Sequence, residues 1–388
     1  MLSIYESQYI QLLRTFVGII IPPILNLTMV ATLKLIFDTL NIYYLPQYLP
    51  IFRVLEGRGH DVQIVAYRDK NDEEQCNRLF EAEGIAPYWV QDPPEAARYY
   101  AEQKADWIIF GNTFYHLDLV HPVSKTAQLG HGIGPKPGYY HKSKTPMSVR
   151  FIEGELRVRK AKELYPNDTF AQVGFSKMDP IFNGEESGLD LEALGLDPAK
   201  PTILYAPTFN PSSLGRFPDS WPKDFSEYNI LIKPHSITQT RSRYRAQQRK
   251  LKKWGEYSNT YVASLDDISL LPFMKHADIL LSEASSTLFE FVAMDRPVIV
   301  CNFFKLKWTY WGPFYYRFKR RFLTHNVVYQ DIGRHVSSYK ALKEAIPQQL
   351  ANRSEYHDRR VQYTKDHVGP TDGKSSERIV DYLERNLK

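Results

Sequence analysis

The sequence predicts an α/β protein made of two lobes in tandem, each built on a mostly parallel sheet. Three observations point there. The chain has 388 residues, and domains usually hold about 100–200, so two are the natural expectation. Short apolar runs alternate with amphipathic segments and are punctuated by glycine, the pattern of strand–helix–strand units. A polar stretch with Gly174, Gly184 and Gly188 interrupts the pattern up to Gly195, after which it restarts.

The elements follow in order. Leu33–Phe37 reads as a short buried strand. Tyr44–Arg58 carries Leu45, Leu49, Phe52 and Leu55 at helical spacing and is ended by Gly57 and Gly59. Asp61–Ala66 is a second strand, Trp107–Phe110 before Gly111 another, and Ala127–Leu129 a further candidate. Past the break, Thr202–Ala206, Tyr228–Lys233, Tyr261–Val262, Ile279–Leu281 and Val298–Val300 read as strands with helical segments between them. Ser375–Leu387 reads as a final helix. The expected division is an apolar extension over 1–31, a first lobe over 32–180, a second over 196–370 and a C-terminal helix over 371–388.

Composition narrows the class. Hydrophobic residues make up 43% and charged residues 24%, ordinary for a chain that buries real cores. The net charge of +5 does not call for nucleic acid, which is not expected as a partner, but suits ligands that carry phosphate. Cys76 and Cys301 lie far apart and form neither a disulfide framework nor a zinc pattern; they fit a reducing, cytoplasmic compartment. From Thr15 to Leu33 there is no charged residue, a run just long enough for a membrane span. Pro22-Pro23 in its middle would break or kink a helix, and Met29 is an alternative start. Peripheral attachment to the inner face of the membrane is therefore preferred to a span.

Ligands of open parallel sheets bind beyond the carboxyl ends of the strands, and the unusual polar residues cluster at such ends. Gly130-His131-Gly132-Ile133-Gly134-Pro135-Lys136 places a histidine between glycines that let backbone approach a ligand closely. A histidine side chain ordinarily titrates near neutral pH, so His131 could take a proton from a hydroxyl; the alternative is an incidental His in a turn. Lys233-Pro234-His235 follows a strand directly, and both cations are suitable phosphate donors. Ser282-Glu283-Ala284-Ser285-Ser286-Thr287 leads from a strand into a helix, where free N–H groups and hydroxyls suit an anion. Glu290 fits two readings, a capping box with Thr287 or an acceptor for ribose hydroxyls. Thr208, at the end of Ala206-Pro207-Thr208-Phe209, is a weaker candidate. Thr371–Ser376 lacks the full phosphate-loop pattern and reads better as the cap of the last helix. Arg241–Trp254 holds seven Lys or Arg and no acidic residue, and Trp308–Phe322 mixes aromatics with Arg317, Lys319, Arg320 and Arg321. Such segments either lie on an anionic surface or are solvated faces.

Several of these pieces together resemble the CDP-glycerol glycerophosphotransferase family of teichoic-acid-type primases and polymerases. They are Tyr205–Thr208, Lys233–His235, Asp267–Leu271, Ala277–Leu280, Glu283–Ser286, Arg296-Pro297 and Asp372-Gly373. In the first lobe they are His131-Gly132 with Lys136, and Val173–Phe175 with Asp179. The likeness runs in order from about Leu33 to Leu387. It implies two Rossmann-like lobes facing a central cleft, GT-B-like, with the nucleotide donor on the second lobe and the acceptor on the first. His131 would be the base, with Gly132 and Lys136 on the acceptor side. Thr208, Lys233, His235, Ser285, Ser286 and Glu290 would bind the donor, and His235 would also serve the reaction. The donor would be CDP-glycerol-like and the acceptor a lipid-linked or polymer hydroxyl, so an anionic membrane surface is a further expected partner. Two departures stand out: Glu283-Ala284 replaces an expected Asp-Tyr, and Glu290 stands where Asp is common. Ser285–Pro297 also resembles nucleotide-sugar 2-epimerases and other two-lobed glycosyltransferases. A UDP-sugar enzyme and a non-catalytic polyanion-binding protein are thus the competing classes. No residue cluster supplies carboxylates at metal spacing, so neither a tightly held metal nor another cofactor is expected.

Overall fold

The structure, a computed structural model, describes residues 31–68, 73–130, 133, 145–283, 285–304, 310–317 and 331–387. The chain divides into a unit Met1–Thr32 and a unit Leu33–Lys388, and the second contains every element described below. Among the described residues no helix is long and apolar enough to cross a membrane.

The first sheet holds β1 (Lys34–Thr39), β2 (Asp61–Tyr67), β3 (Tyr88–Val90), β4 (Trp107–Phe110), β5 (Lys125–Gln128), β6 (Val149–Ile152) and β7 (Phe170–Gln172) in the order β3-β2-β1-β4-β5-β6-β7. The second holds β8 (Thr202–Tyr205), β9 (Asn229–Ile232), β10 (Thr260–Val262), β11 (Ile279–Ser282), β12 (Val298–Cys301) and β13 (Arg334–Val336) in the order β10-β9-β8-β11-β12-β13. Every pairing is parallel. Central strands such as Leu35-Ile36-Phe37 and Ile203-Leu204-Tyr205 are buried throughout, as continuous apolar runs must be when helices cover both faces of a sheet. The order reverses between β1 and β4 and between β8 and β11, the two switch points where such sheets open a crevice.

The carboxyl edges of the two sheets face one another. Arg78, on the helix after β2, pairs with Asp266 after β10 at 2.9 Å, and Gln75 donates to the carbonyl of Leu265. Ile133, just past β5, is buried in a cluster with Phe175, Met178, Leu204 and Leu288.

Sequence and structure part in three places. The edge strands β3, β7 and β13, and β6 beside an edge, were not anticipated. The stretch expected to be a polar spacer buries Phe175, Met178, Asp179 and Leu191, because it turns through a 3-10 segment, Ser176–Met178, and a short helix, Asp179–Phe182, between the lobes. The final helix, Ser375–Arg385, packs on the first lobe instead of standing apart. Ile379, Val380 and Leu383 enter that lobe's core, and Trp107 Nε1 donates to the Leu383 carbonyl at 3.1 Å. Each such side chain contributes roughly 1.5–3 kcal/mol by leaving water. The cap of this helix comes from far away: Asp179 accepts the N–H groups of Ser375 at 3.1 Å and Ser376 at 2.6 Å. Gly174 passes beneath at φ +91°, where an added Cβ would meet Ser375 Oγ at 2.5 Å.

Candidate functional site

The central strands of the second sheet end level, with Tyr205 opposite Ile232 and Leu281. The residues after β8, β9 and β11 therefore meet at one edge, and three predicted clusters come together there. Ser282 Oγ donates to the Ala206 carbonyl at 2.6 Å, and Lys233 N–H to the Tyr205 carbonyl at 2.9 Å.

His235 is exposed and caps the helix Ser236–Thr240. Its Nδ1 accepts the N–H of Ile237 at 3.2 Å, which places the proton of the neutral ring on Nε2, a donor suited to a phosphate oxygen. The ring stands against Phe209 at 4.8 Å between centroids. Lys233 is half-buried. Burial lowers its pKa to about 8; Asp267 opposes that and the charge of Lys177 adds to it. Asp267 itself accepts from Tyr261 Oη, Ser264 N and Ser264 Oγ at 2.7–2.9 Å.

Ser285 caps the helix Ser286–Val292, its Oγ accepting the Thr287 N–H at 3.3 Å and the Thr287 hydroxyl at 3.0 Å. Ser286 opens the helix, half-buried. The capping-box reading of Glu290 fails, because Ser285 is the cap and Thr287 lies inside the helix. Glu290 is buried, and its Oε2 lies 2.7 Å from Lys177 Nζ in the turn that ends the first lobe. The Thr208 hydroxyl is engaged within its own loop, donating to the Pro211 carbonyl. His131, Gly132 and Lys136 lie outside the described residues; their neighbour Gly130 has φ +79° and Ile133 is buried.

Sequence reasoning missed three groups. Glu283, named in the sequence as part of the Ser282–Thr287 turn and as a departure from the family pattern but given no role, is a buried carboxylate that shapes the loop after β8. Its oxygens accept Thr208 N–H at 2.7 Å, Ser213 N–H at 2.7 Å and the Ser213 hydroxyl. Burial raises its pKa to about 7 against these hydrogen bonds. Lys177 gave no signal beyond standing two residues before Asp179. Asp38, at the carboxyl end of β1, accepts from Tyr67 Oη at 2.6 Å and Tyr100 Oη at 2.7 Å, and burial raises its pKa to about 6. The apolar context of Phe37 hid it.

Two parallel sheets meeting at their carboxyl edges define a GT-B-like fold, and solved structures share it. A structure of the wall teichoic acid polymerase TagF superposes with a TM-score of 0.64, covering 91% of this chain and 88% of that one at 13% identity. A UDP-N-acetylglucosamine 2-epimerase superposes at 0.58, covering 91% and 95% at 12% identity. The family itself is shown by sequence: the chain belongs to the CDP-Glycerol:Poly(glycerophosphate) glycerophosphotransferase family, whose model matches residues 157–385. A teichoic acid glycerol-phosphate primase of Bacillus spizizenii is 28% identical over 145 residues, 34% of this chain, so the match spans only 33% of that protein's length.

Proposed function

We propose that the protein transfers a glycerophosphate-type group from CDP-glycerol to an acceptor hydroxyl in the synthesis of a teichoic-acid-type polymer. One observation carries the reading: the stretch matched by the family model contains Lys233, His235, Ser285, Ser286 and Glu290, and the fold gathers the segments bearing them at one carboxyl edge. The acceptor oxygen attacks the phosphorus that bears glycerol, its proton passes to His131, and the bond to CMP breaks. Charge on the departing phosphate is met by Lys233, the Nε2–H of His235 and the Ser285-Ser286 turn, donors fixed before the reaction begins. Glu290 takes ribose hydroxyls. In the finer reading the acceptor is lipid-linked and the enzyme works from the cytoplasmic side, held to the membrane peripherally. The exposed arginines 241, 243, 245 and 249 support an anionic partner.

A panel of nucleotide donors tests this. CMP release from CDP-glycerol with acceptor present is expected. UDP release from UDP-N-acetylglucosamine instead would move the protein to sugar chemistry, and no release from any donor would leave a binding protein.

A further inference from the structure

The first lobe ends in the turn Ser176–Met178, and Lys177 in that turn reaches the second lobe. Its ammonium sits 2.7 Å from the Glu290 carboxylate, the lysine side chain 19% and the glutamate 3% exposed. The same ammonium lies close enough to Lys233 to disfavour that lysine's charge. Lys233 follows β9 and Glu290 lies on the helix after β11, strands that flank β8 and end level with it, so the Glu290 ion pair holds a first-lobe cation at the edge that carries Lys233. The mutual repulsion of the two cations, in a setting drier than bulk water, is relieved best by an anion between them.

The turn is pinned on both sides. Ser176 Oγ donates to the Gln47 carbonyl at 3.0 Å, and Asp179 holds the last helix. Lys177 can thus redirect its charge only by swinging its flexible four-carbon stem. Glu290 sits in the middle of a buried helix, with Phe289 and Phe291 on either side, and stays where it is.

We propose that Lys177 is a donor-phosphate ligand supplied by the first lobe, held in reserve on Glu290 until the nucleotide arrives. Ribose hydroxyls take over the carboxylate, and the released ammonium turns to the phosphates beside Lys233. The inference rests on the reading of Glu290 as the ribose acceptor and of the donor as a cytidine diphosphate. It has a thermodynamic signature. A nucleoside alone breaks the ion pair without giving the lysine a new partner, whereas a nucleotide supplies both partners, so ribose and phosphate bind cooperatively.

Calorimetric titration of wild type, Lys177→Met, Lys177→Arg and Glu290→Gln with cytidine, CMP and CDP-glycerol tests it, with unliganded melting temperatures to verify folding. Lys177→Met is expected to lose tenfold or more in CDP-glycerol affinity while binding cytidine as well as wild type or better. Lys177→Arg should recover most of the loss, and Glu290→Gln should weaken cytidine. Unchanged CDP-glycerol affinity in Lys177→Met would overturn the proposal, as would an equal loss for cytidine and CDP-glycerol, which marks a purely structural ion pair. Unchanged cytidine affinity in Glu290→Gln would remove the reserve role of that carboxylate. A wild-type protein that binds uridine nucleotides and no cytidine ligand would instead sink the donor reading beneath it.

Discussion

Asp179 accepts the backbone N–H of Ser376 at 2.6 Å across a separation of 197 residues, so one carboxylate at the junction of the lobes fixes the start of the helix that completes the first of them. Asp179→Ala leaves two N–H groups without their cap and should destabilise the protein by about 1–2 kcal/mol. Asp179→Asn keeps an acceptor and should cost less. Urea denaturation of the three proteins checks this; equal midpoints would show that the cap adds nothing.

Glu283 sets a pH dependence. Its folded pKa of about 7 lies above the ordinary 4.5, so across that window the folded state holds a proton that the unfolded chain has released. Stability from this group is greatest below the unfolded pKa and falls as pH rises through about 7. Asp38, at about 6, adds the same sign over the lower part of the window. Denaturation midpoints measured between about pH 5 and 8 should decline for wild type and decline less for Glu283→Gln. The variant should also bind nucleotide more weakly, because an amide offers one acceptor oxygen where Thr208 and Ser213 need two.

The donor side is tested by His235→Ala and by Ser285→Ala with Ser286→Ala. Each should weaken CMP binding about 10-fold, the usual order for a lost hydrogen bond to a charged group. Ser285→Ala also removes a helix cap, so the melting temperature must be followed beside the titration. Wild-type affinity in both variants would place the nucleotide elsewhere.

On the acceptor side, His131→Ala should lower turnover by about 10²–10⁴ with donor affinity nearly unchanged, the range for a lost general base. Single-turnover assays with saturating CDP-glycerol measure it directly, and wild-type turnover would remove His131 from the reaction.

The proposed attachment to a membrane through the basic segment has its own signature. Arg241, Arg243, Arg245, Arg249, Lys252 and Lys253 are exposed, while Leu251 and Trp254 anchor their helix to the lobe. Each cation near anionic lipid adds about 1 kcal/mol, and salt screens it. Flotation with phosphatidylserine vesicles should succeed at low salt and fail at high salt. Retention at high salt in the full chain, with loss in a form starting at Met29, would point to the N-terminal run instead.

How legible all this was depends on the length of the signal. β1, β4, β8, β9, β11 and β12 are buried on both faces and announce themselves as apolar runs. β3 and β13 have three residues each at sheet edges, and β13 reads Arg334-His335-Val336. β6 conceals Arg150, buried because Asp168 pairs with it at 3.0 Å. At the site, Lys233, His235 and Ser285 were visible because they directly follow strands. Lys177 and Glu283 were not, since each acquires meaning from a partner more than 60 residues away: Glu290 at a separation of 113 and Ser213 at 70. Strand ends are visible locally, whereas the Glu283–Ser213 pair shapes a loop within the second lobe and the Lys177–Glu290 pair joins the two lobes.

The helix Ser375–Arg385 also sets an order of events at the ribosome. The face of the first sheet around Trp107 waits for Leu383, 276 residues further along, roughly 10–60 s at ordinary elongation rates. During that interval the second lobe can finish while the first still shows an open apolar surface. A truncation that removes only this helix uncovers that apolar face and should leave the second lobe folded while the first lobe aggregates.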